Sequence, residues 1–148
     1  MVVHKSQGDY INLTVGGLTT AGLEISIDLE TGDAVKRSSK FGSVRSGEQP
    51  DWVETKRQLG SDELNTLRNV IEISLAEGLR SKACDDEDEQ ARKQGQRFAM
   101  RPPIADSIIS LSVRLGGHMG HAPERQCMSP AFDRLWTATY NAASGSAD

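Results

Sequence analysis

The sequence predicts an α+β domain: an antiparallel sheet of about four strands with two amphipathic helices on one face, in ββαββα-like order. Two observations carry most of this. Segments 10–17, 22–32 and 107–117 alternate apolar and polar residues, whereas 61–79 and 129–140 repeat apolar residues at helical spacing. A third is the punctuation: glycine-rich turns end the alternating runs, and a serine followed by apolar residues at helical spacing opens each periodic one.

Taken in order, "YINLTVGG" places Ile11, Leu13 and Val15 on one face, and "GLEISIDLETG" does the same with Leu23, Ile25, Ile27 and Leu29. Both read as strands with one wet face, with Gly16-Gly17 and Thr31-Gly32-Asp33 as turns. A polar insert over 34–58 follows. Its first part, rich in Ser and Gly, offers only Val35, Phe41 and Val44 for burial, enough for a ragged edge strand. "WVETKRQL" adds one more strand through Trp52 or Val53.

Ser61 is the expected N-cap of the first helix, with Asp62 and Glu63 at the positive end of its dipole. Leu64, Leu67, Ile71, Leu75 and Leu79 form the stripe that must lie on the sheet. Beyond it, "DDEDEQARKQGQR" sets Asp88 four residues before Arg92 and Glu89 four before Lys93, spacings that support a helix. With no apolar stripe and Gly95 close behind, 85–101 is expected as a charged connector, either a solvated helical extension or a mobile link. "RPPIADS" breaks any helix. "SIISLSVRLGG" then alternates Ile109, Leu111, Val113 and Leu115 as a further strand. The second helix opens with Ser129 as N-cap and Pro130 at its first position, and groups Phe132, Leu135, Trp136, Thr139 and Tyr140 on one face.

At 148 residues the chain is expected to be a single domain over 1–148, long enough to bury about 70% of its unfolded surface. A net charge of -4, with Lys and Arg interspersed among acids, lacks the clustered basic face of a nucleic-acid-binding protein. The nearest basic tract, Lys36, Arg37, Lys40 and Arg45, reads as a solvated strand face. No apolar run approaches the roughly 20 residues of a membrane span, and the first residues lack a secretory pattern. A soluble, cytoplasmic protein is expected, with Cys84 and Cys127 as reduced thiols rather than one disulfide.

Two segments carry candidate chemistry. "GGHMGHAPERQC" holds His118, His121 and Cys127, donors that suit zinc. Two histidines on a glycine-rich loop without an intervening Glu do not make the helical metalloprotease arrangement, so no metal, cofactor or catalytic residue is assigned and the set stays the alternative. That loop of about a dozen residues reads as a contact surface or as the site of a short return strand around Arg125 to Met128. The second segment is the acidic run Asp85, Asp86, Glu87, Asp88 and Glu89, which lacks the alternating ligands of a calcium loop and is assigned to partner binding.

Four stretches together resemble the small emfourin-type inhibitors of thermolysin-like metalloproteases: "GGLTTAGL" at 16–23, "LGSDELNTLRNVI" at 59–71, "ADSIISLSV" at 105–113 and "SPAFDRLW" at 129–136. The resemblance implies a non-enzymatic inhibitor. The sequence departs from it in the insert at 34–58 and the acidic connector at 85–97, so no inhibitory residue is carried over. The expected function is to bind and block a larger protein, as inhibitors, immunity proteins and phage anti-defence proteins do, with the acids steering toward a basic surface. Other readings are a small zinc domain or enzyme using His118, His121 and Cys127, and an assembly subunit whose edge strand pairs with another copy.

Overall fold

The computed structural model describes residues 8–16, 22–39, 52–97, 99 and 108–145. The alternating segments form β1 (Tyr10–Gly16), β2 (Leu23–Asp28) and β5 (Ile108–Leu115). Three further strands, β3 (Asp33–Ser39), β4 (Trp52–Gln58) and β6 (His118–His121), extend them into a six-stranded sheet of order β4-β3-β2-β1-β5-β6. All neighbours are antiparallel. The helices are α1 (Ser61–Glu77), α2 (Lys82–Lys93) and α3 (Pro130–Ser144). The α+β class stands, with six strands and three α-helices among the described residues in place of about four and two.

One sheet face is apolar. Ile11, Leu13, Ile25, Ile27, Leu111 and Val113 are buried there beneath Leu67 and Ile71 of α1 and Phe132 and Leu135 of α3. The opposite face carries Asn12, Thr14, Ser26 and Ser110, all exposed, with Ser26 Oγ donating to Asn12 Oδ1 at 2.7 Å.

Helix α1 begins one residue earlier than its sequence suggests. Gly60 is the N-cap and Ser61 the first helical residue. Gly60 has no side chain to cap with, so the Glu63 carboxylate reaches back and accepts from Gly60 N at 2.9 Å. That bond, and then the Arg57 guanidinium, hold the Glu63 carboxyl below the usual carboxylate range. Ser129 caps α3 as expected, its Oγ accepting from Phe132 N at 3.2 Å.

The insert at 34–58 is structured at both ends, because β3 and β4 occupy 33–39 and 52–58; Lys40, Arg45 and the rest of 40–51 lie outside the described residues. The two strands have little apolar content on their helix-facing side, so polar groups fasten them to α3. Lys36 Nζ lies 4.9 Å from the centre of the Tyr140 ring and donates to Ser144 Oγ. Arg57 Nη1 donates to Ala142 O at 2.6 Å, satisfying a carbonyl in the last turn of α3 with a cation at the helix's negative end. Arg37 turns to the other face, where Glu24 lies at 2.7 Å and the Trp52 ring at 4.9 Å. The sequence-adjacent cations Lys36 and Arg37 therefore serve opposite faces.

The loop after β5 is shorter than its sequence suggests. Gly116 and Gly117 alone connect β5 to β6, with Leu115 opposite His118 and Gly116 at a positive φ of 63°. Residues 125–127, where a return strand is expected, form a single 3-10 turn, and Met128 makes only an isolated bridge to Arg80. At Gly120 the side chains of Leu75 and Leu79 pack directly onto the backbone of β6. A Cβ there would lie 2.5 Å from Leu75 Cδ2 and 3.2 Å from both Leu79 Cδ1 and Val113 Cγ1. Gly120→Val is expected to destabilise by about 2 kcal/mol through overpacking, measured by urea denaturation. A neutral result would mean that α1 stands further off β6.

Candidate functional site: a cross-linked junction and its acidic helix

Three helix ends meet at one place. As the chain leaves α1 through Gly78 and Leu79 it runs alongside the segment that leads into α3. Ser129 N donates to Leu79 O at 3.0 Å, and Ser81 N donates to Cys127 O at 2.6 Å. Ser129 Oγ, besides capping α3, donates to Gly78 O at 2.7 Å. This short antiparallel contact brings Cys84, in the first turn of α2, beside Cys127, and the two form a disulfide with their Cα atoms 5.7 Å apart. The expectation of two reduced thiols is therefore corrected. Two cysteines 43 residues apart give no pairing signal in sequence; the bridge between 79–81 and 127–129 creates it.

Arg80 occupies the middle of the junction, and its guanidinium fans to three carboxylates. Nε donates to Asp85 at 2.9 Å, Nη2 to Asp88 at 2.6 Å and Nη1 to Glu124. Hydrogen bonding to Glu124 first, then to Asp85 and Asp88, raises the Arg80 pKa above its ordinary value, so the charge is fixed. Asp88 is buried, and its Oδ1 also accepts from Ala99 N at 2.8 Å. Ser81 caps α2 through Cys84 N. Acids early in the helix and Arg92 and Lys93 in its last turn suit the dipole.

These contacts divide the acidic run. Asp85 and Asp88 brace the helix against Arg80, and Glu89 pairs with Arg92 at 2.9 Å. Asp86, Glu87 and Glu89 are exposed. The segment at 85–101 is thus a helix over its first part, continuous from Lys82 to Lys93; Phe98 and 100–101 lie outside the described residues. Arg80→Ala would remove the Arg80 guanidinium from Asp88 while leaving that carboxylate buried. The expected cost is about 2 kcal/mol, with fraying of α2 visible as faster amide exchange over 84–91. Unchanged exchange would show that the disulfide alone holds the helix.

The histidine and cysteine donors do not converge. In an antiparallel ladder opposed residues share a face: His118 opposes Leu115 on the helix-facing side, and His121 opposes Ser112 on the other. Cys127 is buried and its sulfur is bonded to Cys84. Among the described residues no group of three His, Cys, Asp or Glu side chains is placed to hold a metal ion. An open cleft of about 570 Å³ lies against the junction, lined by Arg80, Lys82, Asp85, Ser129 and Pro130 among others. Arg80 is already shared among three carboxylates, so the cleft has no idle guanidinium for an anion.

Arg80 and Glu124 are the residues of this site that sequence reasoning missed. A trace of it was present: Arg80, Cys84 and Asp88 recur every four residues, a helical spacing that carries no hydrophobic signal. Neither the family models nor the curated proteins compared with this chain give a match. No helix among the described residues is long and apolar enough to cross a membrane.

Proposed function

We propose that the chain is a non-enzymatic protein that binds and blocks a larger protein, with α2 as its principal contact element. One observation supports this above the rest. The exposed carboxylates Asp86, Glu87 and Glu89 stand on a helix fixed by a disulfide and by Arg80, so their ordering entropy is already spent before a partner arrives. A rigid, negatively charged helix suits a basic surface and speeds encounter with it. Thermolysin-like metalloproteases, the targets of the inhibitors that the sequence resembles, are the first class to assay.

The disulfide also bears on where this happens. A cytoplasmic location went with reduced thiols, whereas a Cys84–Cys127 bond persists in an oxidising compartment. The target is therefore sought among secreted or envelope proteins first.

Capture from host and phage lysates with the wild-type chain and with the triple variant Asp86→Lys, Glu87→Lys, Glu89→Lys is the test. A stoichiometric partner retained by the wild type and lost by the folded triple variant is expected, with association slowed about tenfold or more by the reversed charges. No stoichiometric partner under low salt, or one bound equally by both proteins, would remove α2 from the interface.

A further inference from the structure

Strand β4 ends the sheet, and its outer edge encodes one specific neighbour. Leu59 N donates to Gly32 O at 2.8 Å, continuing the β3 ladder, so Val53, Thr55 and Arg57 direct their backbone groups at β3. By alternation, Trp52, Glu54, Lys56 and Gln58 point their N–H and C=O groups away from the sheet. Among the described residues no strand lies beyond them. The edge is seven residues long, against four for β6 at the other end. Val53 is 61% exposed on it, an apolar side chain at the rim of the helix-covered face.

Charges on an edge strand ordinarily prevent pairing with another chain. Here they select among registers. Hydrogen bonding across two antiparallel copies of β4 requires outward-facing residues to oppose one another, which leaves few central registers. Centring the pair on Glu54 would oppose two carboxylates, and centring it on Lys56 would oppose two ammonium groups. Centring it on Thr55 opposes Glu54 of each copy to Lys56 of the other, twice, and Trp52 to Gln58. In the same register Val53 faces the aliphatic stem of Arg57 from the second copy. The segment "ETK" is thus self-complementary under a two-fold axis.

We infer that the β4 edge is a homodimer interface: two copies join antiparallel about Thr55, making one continuous sheet through both subunits. Lys56 already lies 3.6 Å from Glu54 of its own strand and Arg37 3.8 Å from it, so the charges sit on one face beside the axis, ready for exchange with the second copy. The inference is independent of the α2 reading. Leu79, which leads toward α2, lies against Gly120 of β6 at the far end of the sheet order.

Sedimentation equilibrium of the full chain from micromolar to millimolar concentration tests this. The wild type is expected to dimerise. Glu54→Lys and Lys56→Glu are each expected to weaken self-association by about tenfold or more, because each opposes like charges twice. An equimolar mixture of the two restores opposite charges at both pairs and is expected to recover a heterodimer at least as tight as the wild-type dimer. Lys56→Pro, which deletes an N–H pointing away from β3, is expected to stay folded by circular dichroism and to be monomeric. A wild-type chain monomeric to millimolar concentration, a mixture no more associated than its components, or a Lys56→Pro protein that dimerises like the wild type would each overturn the assignment.

Discussion

Replacing Cys84 and Cys127 together by serine is expected to lower the free energy of unfolding by about 4 kcal/mol, the loop-closure value for a cross-link spanning 43 residues. The loss should not be spread evenly. Helices α1 and α3 lie on the sheet and against each other, whereas α2 is tied to the body through the disulfide, the Arg80 fan and the bridge at Met128. Without the covalent tie, the Arg80 fan and the bridge at Met128 must order a helix of 12 residues, near the length at which isolated helices are marginal in water. Native-state amide exchange is therefore expected to quicken over 84–93 while β1 and β5 keep their protection. Uniform loss of protection would mean that α2 is part of the cooperative core. The same measurement with and without a dithiol reductant reports whether the wild-type bond is open to reduction, which burial of both cysteines disfavours.

Phe132→Ala is expected to cost a similar amount, about 4 kcal/mol, through an opposite route. Phe132 is only 1% exposed and is among the largest fully buried side chains of the described core, between the first turn of α3 and the sheet. Truncation removes packing shared by both halves of the chain, so the transition should stay single and shift as a whole in urea. A change of midpoint with unchanged slope is the expected signature. A lowered slope would instead indicate that part of the structure had detached before the main transition.

Strands β1, β2 and β5 were readable because Ile11, Leu13, Ile25, Ile27, Leu111 and Val113 are all buried on one face, and period two is a direct consequence of that burial. The inward stripes of α1 and α3 were readable for the same reason. Strands β3 and β4 were legible only in outline, as a ragged edge strand and a further strand in "WVETKRQL", because neither has an apolar face to mark its period. Their helix-facing positions include Lys36, Ser38, Thr55 and Arg57, and Lys36 and Arg57 are tied to α3 by hydrogen bonds and a cation over an aromatic ring rather than by apolar contact. Strand β6 was hidden by its shortness and by Gly120, whose missing side chain is what lets Leu75 approach.

The site was half visible. The acidic run stood out by composition alone, but composition does not separate Asp85 and Asp88, which face Arg80, from Asp86 and Glu87, which face solvent. That partition follows from helical phase together with the position of one arginine, and the position of Arg80 depends on a backbone contact between segments some 50 residues apart. The zinc alternative was lost to geometry: two histidines three apart in a strand face opposite ways, and the third donor was spent on a disulfide.

The place of β1 in the sheet also sets the order in which the protein can be made. Its two neighbours are β2, which follows it closely, and β5, where Tyr10 meets Arg114. A chain emerging from the ribosome can form the β1–β2 hairpin early, but β1 keeps one unsatisfied edge until β5 has been synthesised. During that interval the growing chain exposes a strand carrying Ile11 and Leu13, the kind of surface that chaperones shield. Closure then joins residues about a hundred positions apart, a non-local step that places folding toward the slow, millisecond-to-second end for a domain of this size.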